Sequence, residues 1–379
     1  MPTELSYWEK ESFFCNYDVI VIGSGIVGLN AAIHLKKTAP SLKIAILERG
    51  FLPTGASTKN AGFACFGSIS ELIEQEEMIG VDQLSALIEK RWKGLLKLRN
   101  LLGDNAIDYQ CLGGYELFKN GDNCLAETGV SKIEHFNRLV NDVVGSNAFG
   151  LSNKKISSFG FEGVSTLIEN RYEAQIDSGK MMFALIRYAQ QLGISIFNNC
   201  RVDQIEEESK ASCLITKNGN FCCKRLIVTT NAFIKDLFPD IEINPGRGQV
   251  LITKPIKDLK VAGTFHYDKG FYYFRNINGR ILLGGGRNID FEAEETTTFG
   301  QTERIQLALE DLLKNVILPK TDFEIDYRWS GIMAFGKILE PFTAEIRPNV
   351  FCATRCNGMG IAIGSQTGED LANLLLANL

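Results

Sequence analysis

Histidine is scarce in this chain, three residues in 379, and none of the ten cysteines forms a Cys-x-x-Cys pair. Zinc sites are assembled from those two residue types at short spacings, so no metal site is expected. Cys222 and Cys223 are adjacent, a poor arrangement for disulfides, which points to reduced thiols and a cytoplasmic protein. No apolar run approaches the length of a membrane span, and the opening "MPTELSYWEKESFFCN" has no apolar core of a secretion signal. Membrane insertion is therefore not expected. Forty basic residues against 45 acidic ones leave a net charge of −5, with no basic stripe. That balance argues against nucleic acid and anionic membrane surfaces as partners. Internal repeats, low-complexity segments and a Pro/Gly/Ser linker are also missing. What is present is an ordinary globular composition, 45% hydrophobic, in a chain long enough for two domains that share an interface.

The most informative stretch is "YDVIVIGSGIVGLNAAIHLKK". Val19-Ile20-Val21-Ile22 reads as a buried parallel strand, and Leu29 to Lys37 as a helix. Between them Gly23, Gly25 and Gly28 fit Gly-x-Gly-x-x-Gly, with Ile26 and Val27 as the intervening pair. The first glycine permits a tight turn, the second lets a pyrophosphate approach the backbone, and the third lets helix and strand pack closely. The helix N-terminus then offers amides and a positive dipole end to phosphate. A second strand, Lys43 to Leu47, ends at Glu48, 20 residues beyond Gly28, where a carboxylate meets an adenosine ribose. Glu48 would repel a 2′-phosphate, which disfavours NADP, although Arg49 stands beside it.

Further along, Val81 to Leu102 and the segment after Asp177 read as helices, as do "KIEHFNRLVNDVV" and "TERIQLALEDLLKNV". "IDYQ", "GYELFKN", "PGRGQVLITKPI", "GTFHYDKGFYYFRNI" and "GRILLGGG" read as strands, the last three alternating as antiparallel strands do. Parallel-type units recur in the middle and at the end. The expected fold is α/β: a discontinuous Rossmann-type domain on a parallel sheet, interrupted by an α+β domain built on an antiparallel sheet. The boundaries expected are 1–90, 165–242 and 326–379 for the first domain, and 91–164 and 243–325 for the second.

Two loops narrow the cofactor. In "GASTKNAGF", Ser57 and Thr58 offer hydroxyls to phosphate or ribityl oxygens, and Lys59 and Asn60 offer donors to a ring edge. Ala61 and Gly62, followed by Phe63, are small enough for a flat ring to lie against the backbone. In "CNGMGIAIGSQTGEDLANLL", Asn357, Gly358, Met359 and Gly360 run into the last helix, whose amides would face an anion. With the opening motif, "RLIVTTNAF", "PGRGQVLIT" and "WSGI", these segments resemble the FAD-dependent D-amino acid oxidase superfamily, the group of glycine oxidase, sarcosine oxidase and D-amino acid dehydrogenases. The resemblance runs from Tyr17 to Leu376.

It implies extended FAD with its flavin at the domain interface, and adds Val202 and Thr230 to the cofactor contacts. It also implies hydride transfer from the carbon bearing an amine to flavin N5, an imine that hydrolyses, and reoxidation by oxygen or another carrier. The substrate would be a small amine or amino acid. The alternatives are a dehydrogenase that uses a quinone or carrier instead of oxygen, and a flavin-binding subunit without its own catalysis. "RWSGIMAFGK" holds no cysteine to tether the flavin, so noncovalent FAD is expected. Where glycine and D-amino acid oxidases usually carry an arginine for the substrate carboxylate, this chain has Met333. Sarcosine oxidase resemblance would place a lysine where Ala362 stands. Arg275 and Arg355 are the candidate replacements, and Tyr273 shares a strand face with Arg275. His266 reads as a structural histidine, Trp329 as a domain-junction residue, and Cys65 and Cys356 as small apolar packing beside the flavin loops.

Overall fold

The computed structural model describes residues 4–14, 17–207 and 211–378. The Tyr17–Ile22 strand lies inside a sheet with the Ile44–Leu47 strand on one side and Gly219–Val228 on the other, all parallel. Ser195–Phe197 extends the parallel set at one edge and Val350–Thr354 at the other. Val19, Ile20, Val21 and Ile46 are fully buried because helices cover the sheet. Ile26–Thr38, Ser178–Gln191 and Gly360–Leu376 share one apolar cluster with Val19, Val21 and Ile46. Val81–Leu102 packs there too: a Cβ at its Gly94 would lie 2.2 Å from the Ala362 carbonyl oxygen.

The second sheet has eight strands, in the order Ile325–Phe335, Asn244–Thr253, Arg280–Gly285, Tyr272–Ile277, Thr264–Tyr267, Gly114–Lys119, Val164–Asn170 and Phe149–Leu151. Every pairing is antiparallel except Thr264–Tyr267 with Gly114–Lys119, a parallel join between two remote segments. Several placements differ from the sequence reading. Ile325–Phe335 and Val164–Asn170, assigned by sequence to the first unit, hydrogen-bond in the second sheet. Apolar strands carry no mark of which sheet they join. "IDYQ" is not a strand: Asp104–Ile107 is a short helix ended by Asp108 at φ 52°, and Gln110 forms only an isolated bridge to Gln175. Pairing of Ser212–Thr216 with Gly219–Val228 sets Cys213 opposite Cys222, with the sulfurs 3.2 Å apart.

Candidate active site

The carboxyl ends of the central parallel strands open onto a cavity of about 450 Å³ that runs from the first sheet to the second. This is where open α/β sheets place their ligands, because the turns leaving adjacent strands diverge there. Gly23, Glu48, Thr229 and Thr230 follow strand ends, Thr354 is the last residue of its strand, and all five line it.

At this end the wall is mostly backbone. Gly23 has φ 101°, and a Cβ on Gly28 would sit 2.2 Å from the Gly23 carbonyl oxygen and 2.5 Å from Thr229 Oγ1. Gly28 therefore lets the helix approach the strand and does not itself line the cavity, whereas Gly23, Gly25, Ile26 and Val27 do. Gly25 caps the helix without a side-chain hydrogen bond. Glu48 is buried: Oε2 accepts from the Ser24 amide and hydroxyl, and Oε1 accepts from the Gly50 amide. Those three bonds leave room for about one more donor on the carboxylate. Arg49 stacks over Phe233, 3.7 Å from the ring centroid, and Val202 faces the same space. The Thr230 hydroxyl is buried there without a partner. An open helix N-terminus, a nearly saturated acid and a free hydroxyl together suit the pyrophosphate and ribose of a dinucleotide.

The middle of the cavity is formed by the Gly55–Phe63 loop, the Gly331–Phe335 segment and the loop before the last helix. Ser57 Oγ accepts from the Ile26 amide and so ties the loop to the glycine turn. Asn60 is occupied internally: its amide donates to Ala56 and Ser57 carbonyls, and its oxygen accepts from Gly62 N and Ser178 Oγ. Its side-chain donors, read from sequence as facing a ring, instead shape the loop. Thr58 donates to Pro53 O and lies off the cavity wall, while Ser57, Lys59, Asn60, Ala61, Gly62 and Phe63 are on it. Trp329 Nε1 donates to Lys59 O, joining the second sheet to this loop. Asn357, Gly358, Met359 and Gly360 line the opposite side, and Met359 caps the Gly360–Leu376 helix without a side-chain bond. Cys65 and Cys356 are also at the wall. Burial pushes their thiols up to about 11 and about 12, which disfavours the thiolate.

The far end is walled by side chains: Phe63, Glu71, His266, Phe271, Tyr273, Met333 and Arg287. Tyr273 lies over Gly284, whose missing Cβ would meet the ring at 2.6 Å, and burial pushes its hydroxyl up to about 12. Neither candidate anchor lines the cavity. The Arg275 guanidinium donates to the Gly62 and Ile176 carbonyls beneath the flavin-loop backbone. Arg355 sits at φ 67°, a left-handed backbone that favours glycine, and its side chain turns toward Glu340 O and the Phe342 ring. Arg287, which the sequence reading passed over, is on the wall. Its guanidinium carbon lies 4.1 Å from the Phe335 centroid and 5.1 Å from that of Phe291. Among the described residues the guanidinium has neither a hydrogen bond nor an ion pair. Burial lowers its pKa, with Glu295 and Glu294 opposing. The available signal was "GGGRN": a cation directly after a glycine-rich strand that cannot shield it.

Similar proteins match this chain nearly end to end. A probable oxidoreductase, OrdL, from Rhizobium meliloti is 22% identical over 375 residues, covering 95% of this chain and 83% of its own. The gamma-glutamylputrescine oxidoreductase of Escherichia coli is 24% identical over 380 residues, 97% of this chain and 84% of that protein. The crystal structure of glycine oxidase from Geobacillus kaustophilus superposes with a TM-score of 0.76 at 19% identity, covering 95% of each chain. The family model for FAD dependent oxidoreductases, DAO, matches residues 18–374. With the glycine turn, Glu48 and the two-sheet cavity already in place, the chain belongs to the DAO family of FAD-dependent oxidoreductases.

Proposed function

We propose that this protein oxidises the C–N bond of a small amine, with an amino acid as the substrate the cavity fits best. Bound along the cavity, FAD would supply the hydride acceptor at flavin N5 and pass the electrons to oxygen or another carrier. The chain's own residues bind, orient and tune. Gly23, Gly25, Ile26, Val27, Glu48, Arg49, Val202 and Thr230 would hold the ADP half, and the Ser57–Phe63 and Asn357–Gly360 loops the flavin half. The N-terminus of the Gly360–Leu376 helix would stabilise negative charge on the reduced ring. Tyr273, Met333 and Phe335 make an apolar wall that excludes water from the reacting carbon.

The observation that carries the amino acid reading is Arg287. A half-buried guanidinium at an apolar wall, flanked by two aromatic rings and, among the described residues, without an ion-pair partner in contact, is suited to a planar carboxylate. It reaches the strand that carries Met333 from a different element: an added Cβ on Gly246, the register partner of Met333, would lie 2.6 Å from Arg287 Nη1. The family resemblances to glycine oxidase and gamma-glutamylputrescine oxidoreductase support C–N oxidation of this kind. Anaerobic flavin bleaching by matched pairs, an amino acid against its decarboxylated amine, tests the reading. Preference for the acid, lost in Arg287→Met, is expected. Faster bleaching by the plain amine would make Met333 the mark of an apolar amine pocket.

A further inference from the structure

Behind the substrate end of the cavity lies a second, small void of about 10 Å³, bordered by Ser68, Gly114, Glu116, Asn170, Glu173 and His266. His266 is the residue the two spaces share. Around the void, Ser68 Oγ, Glu116 Oε1, Asn170 Nδ2 and Glu173 Oε2 are all buried and find no hydrogen-bond partner among the described residues. The chain makes room for this arrangement, since a Cβ at Gly114 would lie 2.2 Å from Glu173 Cδ. Orphaned buried polar atoms are costly, and a polar void of about 10 Å³ is at the lower size limit for a single water.

The groups joined there are titratable. His266 Nε2 is 2.7 Å from Glu173 Oε1, which also accepts from Thr264 Oγ1. His266 Nδ1 is 3.7 Å from Glu71 Oε2 on the cavity side. Glu116 Oε2 accepts from the Ser70 amide. The other charged or ionisable groups nearby are the Cys65 thiol against His266, Arg91 near Glu71, and Lys269, which is paired with Glu74.

We propose that His266, Glu173 and Glu116, bridged by one water in this void, form a buried proton store that takes up the proton a substrate ammonium sheds before its C–N bond is oxidised. The inference rests on the amine-oxidation reading above. Net, R2CH–NH3+ and the Glu116 carboxylate give R2CH–NH2 and the Glu116 carboxylic acid, with charge conserved and no electrons moved. His266 stays protonated throughout: its Nε2 holds Glu173 and its charge favours the Glu116 carboxylate, while the proton reaches Glu116 through the bridging water. Burial raises the Glu116 pKa to about 7, which poises this carboxyl to accept a proton near neutral pH.

Infrared titration of the FAD-loaded protein tests the store without substrate. A carboxylic acid carbonyl band should fade as pH rises through about 7 and be missing in Glu116→Gln. In His266→Asn its midpoint should move upward, because a cation that favours the carboxylate is gone. A merely structural role for His266 predicts no such shift. No titrating band, or one that survives Glu116→Gln, overturns the store. In stopped-flow bleaching by an amine substrate, Glu116→Gln should slow reduction on the order of tenfold above neutral pH and flatten its pH dependence, with apparent substrate affinity unchanged. An unchanged rate and profile overturn the proton-accepting role. Cys65, Glu173 and His266 place ligand atoms within 4.8 Å of one another, so metal analysis is the third arm. Stoichiometric zinc would overturn the proposal. If no amine bleaches the flavin, the amine reading falls, while the infrared titration still decides the store.

Discussion

At the Gly23 end, the cavity is lined by backbone and short side chains at the carboxyl ends of adjacent parallel strands. At the Arg287 end it is lined by long side chains from separate segments: Glu71 from a helix, His266 and Tyr273 from neighbouring strands, Arg287 from a short 3₁₀ turn and Met333 from a fifth element. The first end presents amides and glycines that only a local turn must position, and in the function proposed above it would hold phosphate and ribose, the constant part of the cofactor. The second end would face the substrate, and it is built of side chains whose substitution leaves the backbone intact.

The largest expected effect breaks the backbone end. Gly28→Ala places a Cβ 2.2 Å from a carbonyl oxygen, so helix and strand must part. Overpacking of this kind costs on the order of 3 kcal/mol, read as a lower denaturation midpoint. Gly25→Val separates ligand from fold. Its Cβ meets only Ser57 Oγ, at 3.1 Å, so the protein should fold yet purify without flavin. Normal flavin occupancy there would mean the turn holds no pyrophosphate.

At the side-chain end, Arg287→Met should lower kcat/KM for a carboxylated substrate by about 2–5 kcal/mol, with FAD affinity unchanged. Arg275→Met is the control that sharpens the contrast. It removes donors from the Gly62 and Ile176 carbonyls, so it should loosen the flavin loop and weaken FAD by about 1–3 kcal/mol. A selective loss of substrate affinity in Arg275→Met would return the anchor to that arginine.

The pH dependence of folding is expected to be smaller. Burial lifts the Glu116 pKa from 4.5 to about 7, with the Ser70 hydrogen bond opposing. The folded state then holds a proton the unfolded chain has released, so stability falls as pH rises from about 4.5 to about 7. His266, raised well above 6.5 against its own burial by Glu173, contributes fully below 6.5 and is lost as pH climbs through its folded value. Glu116→Gln should remove the first decline and exceed the parent by on the order of 2–3 kcal/mol at pH 8, measured by urea denaturation. Equal stability of the two proteins at pH 8 would show that Glu116 titrates normally. Smallest of all, Arg355→Gly should change stability by no more than about 1 kcal/mol and leave substrate KM untouched, because φ 67° suits glycine. A raised KM would place Arg355 at the substrate.

The ends also differ in how far they could be read from sequence. Strand, Gly-x-Gly-x-x-Gly, helix and acid lie within 32 residues from Tyr17 to Glu48, and each needs only its chain neighbours to adopt its shape. The Val81–Leu102 helix was legible for the same reason: its apolar period and closing Gly103 are local. Arg275 and Arg355 were chosen as anchors by alternation and by position before a loop. Neither criterion says which way a guanidinium turns once buried carbonyls compete for it. His266 was read as a satisfied core residue, and its bond to Glu173 agrees, but 93 residues separate the two and only the parallel join of Thr264–Tyr267 to Gly114–Lys119 brings Glu116 beside them.

The sequence by itself determined the dinucleotide turn, the family and the α/β class, since these follow from short-range periodicity and from glycines whose backbone roles are fixed by their immediate neighbours. Tertiary structure decided which sheet received Val164–Asn170 and Ile325–Phe335, which arginine faces the substrate end of the cavity, and that Glu116, Glu173 and His266 border one small void. Burial is set by all the segments that converge on a point, and the energies of charged and polar groups depend on burial more than on sequence position.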